Sequence, residues 1–222
     1  MEVISNIQKT ILGYFGDVSE SEYLYLTGGT ALAEFYLQHR RSEDLDFFSS
    51  IEELIMPFSY RLEDKLRREG MKVNRRRSLH SFVELIVDRG PETTMIHLAQ
   101  DSPFRLEKTR EFQQYPGLKI DSLPDLAANK LLALFGRATL RDFIDVYSLI
   151  KKDKFNPEEL MEKAGIKDPG FDLYWLGVAF QRIKTFNDDS LDMLLLTEPI
   201  PFHELRLFFN QWGETITEKL KP

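Results

Sequence analysis

Apolar residues recur at helical spacing in the first sixteen positions. Val3, Ile4, Ile7, Ile11, Leu12 and Phe15 fall on one face, which predicts an amphipathic helix over 1–16. Tyr23-Leu24-Tyr25-Leu26 predicts a short strand that ends at Thr27, and Gly28-Gly29 predicts a turn. From Thr30 to Gln38 the helical period returns, with Leu32, Phe35 and Tyr36 inward. A second strand is predicted over 45–48, and a helix over 57–69 stopped by Gly70. Three strand-like runs follow, 71–77, 81–88 and 93–99, with Arg89-Gly90-Pro91 as a turn signal.

The texture changes near residue 120. Ser122 and Asp125 have the spacing of a capping box, with Pro124 in the first turn. Beyond them the pattern reads as helices over 124–136, 139–151, 157–164, 172–186 and 202–219. The fold class expected is therefore α+β. A small mixed sheet flanked by helices occupies 1–120, and a C-terminal helical domain occupies 121–222. No internal repeat and no low-complexity tract interrupts this order.

Composition narrows the class. The chain has 222 residues, enough to bury a core as one large domain or two small ones. It has no cysteine, which excludes disulfides, thiolate metal sites and cysteine nucleophiles. The formal net charge of −7 argues against a general nucleic-acid coat but leaves room for a local basic groove. No apolar run approaches the ~20 residues of a membrane span. The N-terminal segment is unlike a secretory signal, so a cytoplasmic protein without membrane partners is expected.

Candidate chemistry sits in two places. The first is Leu26-Thr27-Gly28-Gly29-Thr30-Ala31-Leu32, followed by His39-Arg40-Arg41-Ser42-Glu43-Asp44-Leu45-Asp46. Two glycines between strand and helix let backbone approach a ligand closely, and a helix start presents free N–H groups to phosphate. The Thr27 and Thr30 hydroxyls are candidate further donors. Taken alone this is a weak signal, because the same pattern makes ordinary tight turns. Asp44 and Asp46, two apart on a strand, face one side, and carboxylates that close call for a cation. Mg²⁺ takes carboxylate and phosphate oxygens together. A solvated strand end is the bland alternative.

The second place is Lys130, Leu134, Arg137 and Arg141, spaced to put three cations on one helical stripe, with Asp142 and Asp145 following in an apolar stretch. A solvated basic face is one reading. The other is a phosphate contact or an ion pair in which the acids are partly buried and held by Arg137 or Arg141. Gly136 is a candidate bend. Arg75-Arg76-Arg77 is a basic cluster that suits either an exposed strand face or an RNA backbone.

Together, Gly28-Gly29-Thr30-Ala31-Leu32, His39-Arg40-x-Ser42-x-Asp44-Leu45-Asp46-Phe47-Phe48 and Lys130-Leu131-Leu132-Ala133-Leu134…Arg141-Asp142-x-x-Asp145 closely resemble the AbiEii/AbiGii toxin-like nucleotidyltransferases of the polymerase-beta-like superfamily. A looser likeness runs through Trp175-Leu176 and Phe186-Asn187-Asp188-Asp189. The resemblance implies transfer of NMP from an NTP to a hydroxyl of RNA (tRNA, for example) or protein, with Mg²⁺ or Mn²⁺, and a cognate antitoxin as partner. It implies that Asp44 and Asp46 hold metal and that Thr27, Gly28, Gly29 and Thr30 hold the triphosphate. Arg40 and Ser42 would support the nucleotide or the metal loop, Lys130 and Arg137 would act from the helical half, and Asp142 would orient the basic groups.

One position departs from the family. Its third carboxylate usually lies in a run matched here by Met95-Ile96-His97-Leu98-Ala99-Gln100-Asp101-Ser102-Pro103-Phe104-Arg105, where His97 replaces the acid. Imidazole accepts a proton and prefers Mn²⁺ or Zn²⁺ to Mg²⁺. Asp101 shares its strand parity but lies about 13 Å further along. Glu84, on the preceding strand, is the other candidate acid. A catalytically weakened nucleotide- or partner-binding regulator is therefore the alternative function.

Overall fold

The computed structural model describes residues 2–152 and 154–221. It divides into two compact units, one formed by Met1–Tyr36 and Arg41–Ser122, the other by Leu37–Arg40 and Leu123–Pro222.

The first unit is built on a seven-stranded mixed sheet. Its strands are β1 (Tyr25–Thr27), β2 (Asp44–Ser49), β3 (Lys72–Leu79), β4 (Phe82–Arg89), β5 (Glu92–Gln100), β6 (Arg110–Glu111) and β7 (Lys119–Ile120), in the order β3-β4-β5-β2-β1-β7-β6. The β2–β5 and β1–β7 pairs are parallel and the others antiparallel. The two-residue β6 and β7 carry too few positions to show a period, and the sequence pattern missed them.

Helices α1 (Asn6–Phe15), α2 (Gly28–Leu32) and α3 (Ile55–Arg68) complete this unit. Ser5 caps α1 through a capping box with Gln8. Ile7, Ile11, Leu12 and Phe15 of α1 and Phe58, Leu62 and Leu66 of α3 are buried. So are the alternating strand residues Leu45, Phe47, Val83, Leu85, Val87, Ile96 and Leu98. Phe15 stacks on Phe47 at 3.9 Å between ring centroids and lies 5.4 Å from Phe58, which ties both helices to this face. The other face of the central strands carries Asp44, Asp46, His97 and Glu84. Period-2 alternation thus separates core from chemistry.

Two local expectations change. Residues 21–23 form a 3-10 turn, so β1 begins at Tyr25. The Gly-Gly pair does not precede the helix but opens it, with Thr27 at the N-cap, and α2 continues as a π-helix over Ala33–Leu37.

The second unit is helical: α4 (Leu123–Gly136), α5 (Leu140–Lys151), α6 (Pro157–Lys167), α7 (Leu173–Phe180) and α8 (Phe202–Lys219). Its core includes Leu131, Leu134, Phe143, Leu149, Leu160, Phe180 and Phe209, with Phe143 and Phe180 both edge-on to Phe209. Asn156 and Glu159 form the capping box that starts α6, with Pro157 in its first turn. The stripe expected on a single helix does not form. The chain breaks after Gly136, Ala138 takes φ 47°, and Lys130 stands on α4 while Arg141 stands on α5.

Candidate active site

One row of side chains crosses four strands of the first unit. The register pairs Thr27 of β1 with Asp46 of β2, Asp46 with His97 of β5, and His97 with Glu84 of β4. Asp44 lies two residues before Asp46, on the same face. His97 Nδ1 is 2.8 Å from Asp46 Oδ1 and its Nε2 is 3.6 Å from Glu84 Oε2. Phe82 stacks on the imidazole, with ring centroids 5.8 Å apart. Glu84 is buried, and Arg76 Nε approaches its Oε1 at 3.2 Å. The hydrogen bond to Asp46 raises the His97 pKa against the opposing effect of burial, and the charges of Asp46, Asp44 and Glu84 add to the rise.

The position matched to the family's third acid therefore holds an imidazole in contact with the second. Of the two candidate substitutes, Glu84 is the neighbour of His97. Asp101 lies beyond the end of β5, where it accepts a hydrogen bond from Tyr25 Oη at 2.5 Å.

Gly28 has φ 72°, and a Cβ built on it would collide with the Asp46 carboxylate. The turn and the acid pair are thus in direct apposition. The Thr27 and Thr30 hydroxyls, expected as phosphate donors, donate elsewhere. Thr27 Oγ1 donates a hydrogen bond to Asp121 Oδ2 at 2.7 Å, and Thr30 Oγ1 donates one to the Asp44 carbonyl. A hydroxyl has one proton, so what the turn offers a ligand is backbone, including that of Gly29. Ser42 is half-buried just before β2, its N–H on the Val3 carbonyl at 3.0 Å.

The remaining expected residues gather in the second unit. Asp145 is fully buried on α5. Arg40 meets it with Nε at 2.6 Å and Nη2 at 2.9 Å, Lys130 Nζ lies at 2.7 Å, and His39 Nε2 at 2.7 Å. Burial works against the Asp145 carboxylate, but Arg40 and Lys130 outweigh it and hold its pKa well below the usual carboxylate range. Arg40 and Lys130, expected on nucleotide, thus have their charged heads on Asp145; of the two arginines expected to hold these acids, Arg141 pairs with Asp192 at 3.2 Å. Arg137 does pair with Asp142, through Nε at 2.9 Å and Nη2 at 2.8 Å. Asp142 also accepts from the Thr139 hydroxyl at 2.5 Å and caps α5.

Two functional-looking groups escaped the sequence reading. His39 stands inside a motif with no pattern of its own, and Asp121 directly precedes the Ser122 and Asp125 spacing that carries the helix-start signal. Asp121 is 1% exposed and carries Thr27 and Arg105 on its two oxygens. It directly follows the two-residue β7, which is too short to show a period, so the sequence carries no signal for it.

A mixed sheet with paired carboxylates at a Gly-Gly helix start defines a nucleotidyltransferase-type α+β fold. Solved structures share it. A candidate nucleotidyltransferase from H. pylori is 20% identical with a TM-score of 0.62, over 96% of this chain and 93% of its own. JHP933 from Helicobacter pylori is 20% identical with a TM-score of 0.59, over 96% and 90%. MenT4, a nucleotidyltransferase toxin from Mycobacterium tuberculosis H37Rv, is 15% identical with a TM-score of 0.58, over 95% and 82%. No curated protein matches. The chain belongs to the AbiEii family, described as the nucleotidyl transferase AbiEii toxin of type IV toxin–antitoxin systems, whose model matches residues 10–217. Among the described residues, no helix is long and apolar enough to cross a membrane.

Proposed function

We propose that the protein transfers NMP from an NTP to a hydroxyl of an RNA or protein acceptor, as the toxin of a toxin–antitoxin pair. The observation that carries this reading is the contact of the Asp46 carboxylate with Gly28, with Asp44 beside it. In the reaction the acceptor oxygen bonds to the α-phosphorus, the α–β phosphoanhydride bond breaks, and pyrophosphate leaves. The acceptor proton passes to base.

Divalent-metal dependence belongs to the same proposal. Among the described residues no cluster of three or more His, Asp or Glu groups would hold an ion by itself. Two carboxylates suit Mg²⁺ or Mn²⁺ arriving with the nucleotide, since Mg²⁺ usually takes one or two carboxylates and completes its shell with phosphate oxygens and water. When bound, the ion would neutralise phosphate charge and polarise the reacting oxygens. Asp44 and Asp46 would hold it, and the backbone at Gly28-Gly29 would receive the triphosphate.

A second reading, a catalytically weakened binder, is favoured by His97. Where the family has an acid, its imidazole leaves Asp46 sharing one oxygen with a proton donor. Incubation with each labelled NTP, Mg²⁺ or Mn²⁺, and total tRNA or lysate separates the two. Labelled acceptor supports transfer. NTP binding without labelling, lost in Asp44→Asn/Asp46→Asn by calorimetry, supports the binder. Equal NTP affinities in wild type and double variant would remove the metal role from both.

A further inference from the structure

We infer that Asp121 is a positioning residue that sets the backbone of the Gly28-Gly29 turn against Asp46. The inference rests on the proposed reading of that turn as the triphosphate seat. A three-residue strand followed by a left-handed glycine is a weak anchor by itself, because β1 has few ladder bonds and Gly28 has the broadest backbone freedom of any residue. Something outside the turn has to hold it, and the N–H, the carbonyl and one carboxylate oxygen of Asp121 all bond into that region. Its N–H donates to the Leu26 carbonyl at 2.8 Å. Its Oδ2 accepts the Thr27 hydroxyl at 2.7 Å, one residue before Gly28. Its carbonyl accepts Tyr36 Oη at 2.8 Å, from the π-helical end of the same helix that the glycines open. Its Oδ1 holds the Arg105 guanidinium, which also lies over the Tyr25 ring at 4.1 Å.

Asp121 therefore grips the segment on both sides of the glycines, from β1 before them and from the helix end after them. The carboxylate is 1% exposed and the Thr27 side chain is buried, so water does not compete for the bond. Burying an acid costs free energy, and a nearby guanidinium and hydroxyl offset it. A core position at the end of β7 would take an apolar residue at lower cost. What the acid adds is a fixed Thr27 N-cap, hence a fixed Gly28 φ and a fixed distance from the Gly28 backbone to Asp46.

The test compares wild type with Thr27→Val, Thr27→Ser and Asp121→Ala. Two quantities are read: amide hydrogen exchange at Gly28 and Gly29, and affinity for each Mg²⁺–NTP by calorimetry. Thr27→Val should speed exchange at the two glycines and weaken NTP at least tenfold, with exchange in β2 and β5 unchanged. Thr27→Ser keeps the hydroxyl and should behave as wild type. Asp121→Ala should reproduce Thr27→Val, and the double variant should be no worse than the worse single one. If Asp121→Ala does not fold, the Val and Ser variants decide. Unchanged glycine exchange in Thr27→Val, a Ser variant as impaired as Val, or loss of protection spread through the sheet would each overturn the positioning role. A wild type that binds no NTP would overturn the reading of the turn instead, while the exchange arm would still decide whether Asp121 holds it.

Discussion

His97 meets Asp46 across the parallel β2–β5 pair, Nδ1 to Oδ1 at 2.8 Å. A third carboxylate at this position would repel Asp46 and draw a cation, whereas a histidine N–H donates a hydrogen bond to Asp46. The difference gives a direct prediction for His97→Asp. Without a divalent ion the variant should melt below wild type, because Asp44, Asp46 and the new acid crowd one face. Adding Mg²⁺ should raise its melting temperature by more than it raises wild type's, since a ligand that binds only the native state stabilises it. Thermal scans with and without Mg²⁺ measure this, and equal Mg²⁺ responses would remove His97 from the cation-binding face.

The two perturbed histidines should titrate with opposite sign. His97 is raised, chiefly by its hydrogen bond to Asp46, so it contributes stability fully below its unfolded pKa, near 6.5, and loses it as pH rises through the higher folded value. His39 is lowered by burial, with Nε2 on Asp145 and a buried Nδ1 that has no hydrogen-bond partner among the described residues to receive a second proton. Its contribution is present above about 6.5 and is lost as pH falls through the lower folded value. In wild type the two partly cancel. Melting curves from pH 5 to 8 should show His39→Gln losing less stability than wild type on acidification, and His97→Ala losing more. Parallel curves would contradict the assignment.

Asp145 is the ion-pair centre of the second unit. Replacing it with Ala would leave Arg40 and Lys130, both under a tenth exposed, without their shared carboxylate. Removing one partner of a buried pair costs on the order of 3–5 kcal/mol. Lys219→Ala is the control: its Nζ pairs with Glu158 at 2.9 Å, and the two side chains are 42% and 61% exposed. An exposed pair is worth roughly 0–1 kcal/mol. Chemical denaturation should therefore separate the two variants widely. Similar midpoints would mean that the Asp145 cluster carries little of the unit's stability.

The sequence made some of this readable and hid the rest for physical reasons. Alternation along β2 and β5 put Asp44, Asp46 and His97 on a common face, because period 2 is a local property of a strand. The contact between Asp46 and Gly28 needed the β1–β2 register, which pattern alone does not set. Lys130 and Arg40 looked like phosphate ligands because charge at a motif position says nothing about which acid will bury against it. Asp145 lies 105 residues from Arg40, and only folding brings them together. Arg137 does not share a stripe with Lys130 because the chain leaves the helix after Gly136, the candidate bend in the sequence and the boundary between its two predicted helices.

Gly28→Ala tests the apposition of turn and acid most sharply. Two penalties act at once. The residue holds φ 72°, where alanine is strained by about 1 kcal/mol or more. Its Cβ would also occupy the space of the Asp46 carboxylate, so the carboxylate or the turn must shift. Gly70 is a matched control, with φ 81° and, among the described residues, no heavy atom beyond its own chain neighbours within 4 Å of a built Cβ. Both alanine variants should lose comparable stability from backbone strain. Only Gly28→Ala should also lose divalent-dependent NTP binding, by an order of magnitude or more. Calorimetry beside thermal melts reads both quantities. If Gly28→Ala binds Mg²⁺–NTP like Gly70→Ala, the contact between Gly28 and Asp46 is a packing contact and the triphosphate seat lies elsewhere.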